Sequence, residues 1–421
     1  MQKKYLKRLA DTMLDAALEA SGAVLIEGPK WCGKTWTARE KAASSLFMQD
    51  PDHSETYLRA ASVKPSLLLR GETPRLIDEW QMAPALWDAV RFTVDERRQC
   101  GQFILTGSAV PTDNATWHTG TGRISRLLMR PMTLFESGES SGDVSLRALF
   151  DGAGEITGLS TLTVEKLALA LARGGWPASI GEKESIARRR VNDYVDAVIN
   201  IDISRVDGVE KNPARVRALM RSLARNIATM ATIATLRRDI SGDSDAISDK
   251  TIGMYLNALR RIFVIEDLPA WSPALRSKTA LRTSPKRHFI DPSIAIAALR
   301  AGPENLLNDF NMFCLLFESL CIRDLRVYAQ ANDGEVFHYL DKSGLEADAI
   351  IQLHDGRWGA VEIKMGAREI DMAAAHLLAL RDKIDLGKMR PPAFLMVLTA
   401  TDLAYRREDG VLVVPIGCLR D

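Results

Sequence analysis

Eight consecutive residues, Gly28-Pro29-Lys30-Trp31-Cys32-Gly33-Lys34-Thr35, fit the spacing G-x-x-x-x-G-K-[ST]. Their flanks set the backbone context: apolar Ala23 to Ile26 reads as a buried strand, and Thr35 onward reads as a helix. A strand, a glycine-rich turn and a helix in that order aim successive N–H groups at one point, at the positive end of the helix, and so cradle phosphate. Gly28 and Gly33 permit the tight backbone, Lys34 reaches β and γ oxygens, and the Thr35 hydroxyl ligates Mg²⁺. The arrangement requires an α/β layer beneath it. Residues 1–137 supply one, with short apolar runs at 23–27, 75–78 and 102–107 separated by amphipathic stretches, the pattern of parallel βαβ units.

A phosphate loop needs a further carboxylate for the metal. Leu76-Ile77 leads into Asp78-Glu79, where Asp78 is expected to hold Mg²⁺ through water and Glu79 to polarise the attacking water. The run FILTGSA at 103–109 ends in Thr106 and Ser108, either of which offers a hydroxyl to sense the γ-phosphate. Arg123 and Arg126 follow a Gly and Thr stretch and are candidates for stabilising transition-state charge, in cis or from a neighbouring subunit. Cys32 lies inside the loop, where alkylation is expected to block nucleotide, and Trp31 beside it offers a fluorescence reporter.

The segments YLKR, GPKWCGKT, LIDEWQ, ILTGS and TGRI, with RGGWP at 173–177, occur in that order and resemble a large family of prokaryotic ATPases. Its members join an AAA-type ATPase domain to an uncharacterised C-terminal region of restriction-endonuclease-like character. The resemblance spans nearly the whole chain and is strongest in the first 135 residues. It implies ATP as ligand, an AAA+-like P-loop fold, and the roles above for Lys34, Thr35, Asp78 and Glu79. Family members often carry Arg where this chain has Lys30, which leaves the loop intact.

At 421 residues the chain has room for two or three domains, and its 46% hydrophobic content suffices for ordinary cores. Five scattered cysteines and six histidines without metal-like spacing argue against a disulfide scaffold or structural zinc, and suit a reducing, cytoplasmic setting. No stretch is apolar enough to predict a membrane partner. The formal charge of +1 hides polarity, because Arg205 to Arg287 holds sixteen Lys or Arg against eight Asp or Glu. Within that segment a serine-capped run, SDKTIGMYLNALRRI, precedes the hairpin-like FVIEDLPAWSP, an order that resembles a winged helix-turn-helix. Ser248 is the expected N-cap, and Ile252, Tyr255 and Leu259 the apolar face. Lys250, Thr251, Arg260 and Arg261 are then the candidate contacts to DNA or another nucleic acid.

Near the C-terminus, Asp348 opens an apolar strand that turns at His354-Asp-Gly356 and returns through Glu362 and Lys364. Alternation puts Glu362 and Lys364 on one face with Asp348 alongside. Two carboxylates and a lysine so placed can bind Mg²⁺ and steady a hydrolytic water, and the spacing D-(x)13-E-x-K resembles the PD-(D/E)xK nuclease core. Glu318, in the preceding helix, is the candidate for a further acid.

The expected fold is therefore α/β, with an N-terminal P-loop (AAA+-like) parallel sheet, a helical and winged-helix middle and a C-terminal α/β restriction-endonuclease-like domain. The expected segments are an ATPase domain at 1–137, a linker and helical segment at 138–204, a basic winged-helix-like segment at 205–287 and a nuclease-like domain at 288–421. The functional expectation is Mg²⁺-dependent ATP binding and hydrolysis coupled to a unit that engages nucleic acid. The alternative is a nucleotide-gated module with little hydrolysis and an inactive nuclease-like domain, which docks a partner protein. Self-association is required if Arg123 or Arg126 acts in trans.

Overall fold

The structure, a computed structural model, describes residues 4–107, 120–206, 208–240, 247–273, 283–387 and 389–421. The chain divides into two compact units. The first comprises residues 1–131 with 202–210 and 258–263, and the second holds the remainder. The basic middle of the chain thus contributes to both.

In the first unit, β1 (Ala23–Glu27), β2 (Ser44–Phe47), β3 (Arg75–Asp78), β4 (Phe103–Gly107) and β5 (Ile124–Leu128) form one parallel sheet in the order β2-β3-β4-β1-β5. Alternate residues explain why the strands read as continuous apolar runs. Leu25, Ile77 and Leu105 pack with Trp80 and Trp87 on one face, while Val24, Ile26, Leu76 and Ile104 pack with Leu14 and Leu127 on the other. A parallel sheet covered on both faces has no polar side. The chain leaves β1 between two neighbours reached by opposite crossovers, the switch point at which open α/β sheets bind ligands, at the carboxyl ends of the strands.

The second unit carries β6 (Val144–Ser145), paired parallel with Leu419–Arg420, and a sheet of β7 (Gly158–Leu159), β8 (Gly334–Leu340), β9 (Glu346–Leu353), β10 (Trp358–Lys364), β11 (Leu395–Thr399), β12 (Leu403–Arg406) and β13 (Leu412–Pro415), in the order β7-β12-β13-β11-β10-β9-β8. Strands β8, β9 and β10 are antiparallel neighbours, and β11 returns parallel to β10 after helix Ile370–Lys383. That helix buries Ala373, Ala374, Leu377 and Leu380 with Trp358, Ile350 and Val397. The 22-residue helix Phe310–Ala331 precedes β8 and has a long buried face.

The RGGWP segment is a structural knot of this unit. Gly175 N–H donates to Asp291 Oδ2 at 3.0 Å, its carbonyl accepts from Met132 N at 2.6 Å, and Trp176 Nε1 donates to Ser293 Oγ. A Cβ at Gly175 would sit 2.1 Å from the Met132 carbonyl oxygen, so only glycine fits. Arg323, buried below, joins Asp291 and Asp324, and Asp324 Oδ2 accepts from Leu134 N at 2.9 Å. These groups satisfy one another, as buried charges must.

Residues of the expected winged segment form helix Asp249–Arg261, with Ser248 Oγ accepting from Thr251 N at 3.1 Å and Ile252, Tyr255 and Leu259 buried. The following residues do not pair as a hairpin within 263–273. Ile265 and Leu268 bridge antiparallel to Phe289 and Lys286 instead.

Candidate functional site

The loop after β1 takes the geometry its glycines allow. Gly28 has φ +147°, and a Cβ there would lie 2.2 Å from the Met129 carbonyl oxygen. Trp31 and Gly33 also have positive φ, and Gly33 starts helix Lys34–Lys41 in the left-handed region. Lys34, buried, curls over the loop and donates to the carbonyls of Gly28 (3.0 Å) and Pro29 (2.7 Å).

Strand register brings the second half of the site to the same edge. Thr106 on β4 pairs with Ile26 of β1 on one side and Asp78 of β3 on the other. Asp78 Oδ1 accepts from Thr35 Oγ1 at 2.8 Å and from Thr106 Oγ1 at 2.6 Å. Asp78 and the Thr35 hydroxyl thus converge at the loop, the oxygen-donor set a P-loop metal requires, so these residues fit Mg²⁺. Glu79 follows with φ 55°, ψ 49°, its N–H donating to Thr106 Oγ1 at 3.3 Å. Burial pushes the Glu79 carboxyl above its usual range, with Lys34 opposing in part.

Three residues around the loop escape motif reading. Gln81 donates through Nε2 to Glu79 Oε2 and fixes its carboxylate. Arg8 is buried and donates to the carbonyls of Cys32 and Arg130, both at 2.8 Å. Tyr5 OH meets Asp11 Oδ1 at 2.5 Å and Thr37 Oγ1 at 2.7 Å. The YLKR segment therefore staples the phosphate loop from below, and the only sequence signal for it is its place in the family resemblance. Arg8→Ala removes the donor from the Cys32 carbonyl at a cost of about 1–3 kcal/mol. It is expected to weaken ATP binding about tenfold in a Trp31 fluorescence titration. Trp31 is half exposed, which suits that use, whereas Cys32 is fully buried. The expectation that alkylation of Cys32 blocks nucleotide is therefore corrected: the thiol is sealed in the core beneath the loop.

The two arginines separate. Arg123 precedes β5, and its carbonyl accepts from Ala23 N at the start of β1, so it stands at the sheet edge opposite the loop. It pairs there with Asp95 at 2.8 Å. Five residues of strand, about 16 Å, lie between it and the loop, so Arg123 does not reach a phosphate there in cis. Arg126, in mid-strand, reaches Glu27 Oε2 at 3.0 Å and lies over the Trp87 ring. Lys30 pairs with Asp202 at 2.6 Å. Ser108 lies outside the described residues.

In the second unit, Asp348, Glu362 and Lys364 come together as strand alternation required. Lys364 Nζ is 2.8 Å from Glu362 Oε2 and 3.3 Å from Asp348 Oδ2, and Ile363 N donates to Asp348 Oδ2 at 2.8 Å. Glu318 joins them only through a residue that sequence reasoning missed. Lys286 Nζ lies 2.7 Å from Glu318 Oε1 and 3.2 Å from Asp348 Oδ1. Burial pushes the Glu318 and Glu362 carboxyls up, while for Asp348 the Lys286 and Lys364 ammonium groups outweigh burial and hold it low. Burial alone would lower Lys286, but Glu318 and Asp348 reverse that and keep it charged.

Lys250 and Thr251 begin helix Asp249–Arg261 and Arg260 and Arg261 end it, so about 15 Å of helix separates the two pairs. The second unit carries a denser basic surface on another helix. Helix Pro213–Arg225 carries Arg217, Arg221 and Arg225 at four-residue spacing, and these line a cavity of about 1200 Å³ together with Arg188 and Arg300. Among the described residues Arg221, Arg225 and Arg300 make no ion pair, whereas Arg217 pairs with Asp196 at 3.0 Å.

Comparison with known proteins gives three family matches. Residues 20–137 match the AAA domain family, residues 164–305 a domain of unknown function (DUF8612) and residues 315–419 a second domain of unknown function (DUF4143). Two uncharacterised proteins, from Mycobacterium bovis and Mycobacterium tuberculosis, are each 24% identical over 366 residues, which is 85% of this chain and 74% of theirs. Among solved structures, a Walker-type ATPase of Pyrococcus abyssi aligns at 15% identity and TM-score 0.44, over 70% of this chain and 97% of that one. A DNA replication initiation factor aligns at 14% identity and TM-score 0.24, over 62% and 96%. The matched family and the loop geometry make the N-terminal part an AAA-type P-loop domain. Among the described residues no helix is long and apolar enough to cross a membrane.

Proposed function

We propose that the chain is a Mg²⁺-dependent ATPase whose C-terminal unit engages nucleic acid. The observation that carries the first half is the convergence of Thr35 and Thr106 on Asp78 Oδ1 beside the Gly28–Thr35 loop. In this reading the loop N–H groups hold the phosphates and Lys34 bridges the β and γ oxygens. Thr35 and Asp78 would hold Mg²⁺, which would supply neutralisation of charge on the phosphates. Glu79, oriented by Gln81, accepts a proton from the attacking water. Its raised basicity in a buried setting matches that task, since a general base works best when its pKa approaches the ambient pH. Arg126 is the arginine better placed for transition-state charge, and Arg123 is left for a neighbouring copy.

The second half is supported by the arginine stripe Arg217, Arg221 and Arg225 with Arg300 beside it, of which Arg221, Arg225 and Arg300 make no ion pair among the described residues, a surface suited to planar, bidentate phosphate contacts. Lys250, Thr251, Arg260 and Arg261 remain secondary contacts. ATP turnover measured with and without duplex DNA tests the coupling. Stimulation that is lost as salt rises is the expected result. Turnover indifferent to DNA at every salt concentration favours the other reading, a nucleotide-gated module that docks a partner protein.

A further inference from the structure

The D-(x)13-E-x-K pattern of the second unit implies a divalent metal held by Glu318, Asp348 and Glu362, and the side chains present do not fit one. A Mg²⁺ ion sits about 2.1 Å from each carboxylate oxygen and takes several of them at once. Here the position between Glu318 Oε1 and Asp348 Oδ1 is filled by the Lys286 ammonium, 2.7 and 3.2 Å from them. The other Asp348 oxygen is taken by Ile363 N–H and by Lys364. Glu362 is occupied by Lys364. Among the described residues, no three acidic, His or Cys side chains form a metal-binding group.

We propose that Lys286 is the resident cation of this cluster, so that the unit keeps the carboxylates of a metal site but is held together by its own ammonium and takes no divalent ion. Lys286 is placed there by the fold. Its N–H and C=O both bond Leu268, at 3.0 and 2.8 Å, which clamps the backbone and leaves the side chain, 9% exposed, pointing into the cluster. Two buried histidines nearby are pushed toward the neutral form by burial, His288 with Arg326 and then Lys286 adding to it and His338 with Lys286 adding to it, so neither competes with the Lys286 charge. Asp348 lies between two ammonium groups, and a divalent ion would have to enter against both. Removing the Lys286 amine leaves Glu318, Asp348 and Glu362 with one cation among three carboxylates and opens the space it filled.

This inference concerns the second unit alone and stands whether or not the phosphate loop turns over ATP. The test is Mn²⁺ binding to the full chain without nucleotide, read by loss of the free-ion EPR signal, for wild type, Asp348→Asn, Lys286→Ala and the double variant. Any weak metal affinity at the phosphate loop is common to all four and cancels. Wild type and Asp348→Asn are expected to bind alike. Lys286→Ala is expected to gain about one Mn²⁺ per chain, and the double variant to lose it. A wild-type site that disappears in Asp348→Asn overturns the proposal, as does a folded Lys286→Ala that gains nothing. If Lys286→Ala does not fold, melting of the wild-type chain decides. A melting-temperature change with millimolar Mn²⁺, zero included, that is the same in wild type and Asp348→Asn supports the proposal, and an increase that Asp348→Asn abolishes overturns it. Metal-dependent nuclease traces for wild type, Asp348→Ala and Glu362→Ala are expected to be identical.

Discussion

Lys34→Ala is expected to abolish measurable ATP binding while leaving the fold intact. The ammonium already lies over the loop, held by the Gly28 and Pro29 carbonyls, and needs only to turn outward to meet phosphate. Hydrogen bonds to charged groups contribute about 1.5–3 kcal/mol each, so losing two from the β and γ oxygens costs about 3–6 kcal/mol, or roughly 10² to 10⁴ in affinity. The residue starts helix Lys34–Lys41 after the Gly33 turn, and alanine is at least as good a helix former, so the loop retains its course. A Trp31 fluorescence titration with a far-ultraviolet circular dichroism control checks both halves. Full affinity in the variant would remove Lys34 from the site.

The parts of this site legible in the sequence are those set by local spacing. The loop is one continuous run whose glycines and lysine have fixed offsets, and Asp78 ends an apolar strand that parallel pairing brings beside Thr106. Asp348, Glu362 and Lys364 were readable for the same reason, since alternation along a hairpin places them without long-range information. Lys286 was not, because it is 32 and 62 residues from its two carboxylates and belongs to no motif with them. Arg8 reaches its carbonyls across 24 and 122 residues. Arg123 stands away from its own loop for a topological reason, which leaves only the action in trans open to it. The TGRI segment reads as a flexible loop, but Ile124 begins β5 parallel to β1, which puts the preceding residue at the wrong edge of the sheet. The stripe of Arg217, Arg221 and Arg225 was present as a four-residue spacing. Spacing alone does not single it out, because basic residues also occur in helices Ile233–Ile240 and Asp249–Arg261 and only the fold shows which of them line a cavity. Composition divides the chain into consecutive segments, yet the first unit recruits 202–210 and 258–263, contacts that linkers and charge do not encode.

Glu79→Gln has the other large expected effect, and it separates binding from chemistry. The amide keeps the shape and the neighbour Gln81 but cannot accept the water's proton. General-base catalysis contributes about 10² to 10⁴ in rate, so turnover should fall about a thousandfold with ATP affinity unchanged. Burial raises the Glu79 carboxyl, so wild-type turnover should increase with pH through that raised value and be lost below it. The sign for stability is opposite. A carboxyl whose folded pKa is raised binds more protons folded than unfolded, so its ionisation destabilises the fold as pH rises, and Glu79→Gln should melt no lower than wild type at neutral pH.

The most direct measurement is single-turnover phosphate release from ATP and Mg²⁺ by the full chain, wild type beside Glu79→Gln, with Trp31 fluorescence recording occupancy in the same samples. The predicted result is equal occupancy with phosphate release about a thousandfold slower in the variant. Release at the wild-type rate from Glu79→Gln, or no release from an occupied wild-type chain, would contradict the assignment of this site as the catalytic centre of an ATPase.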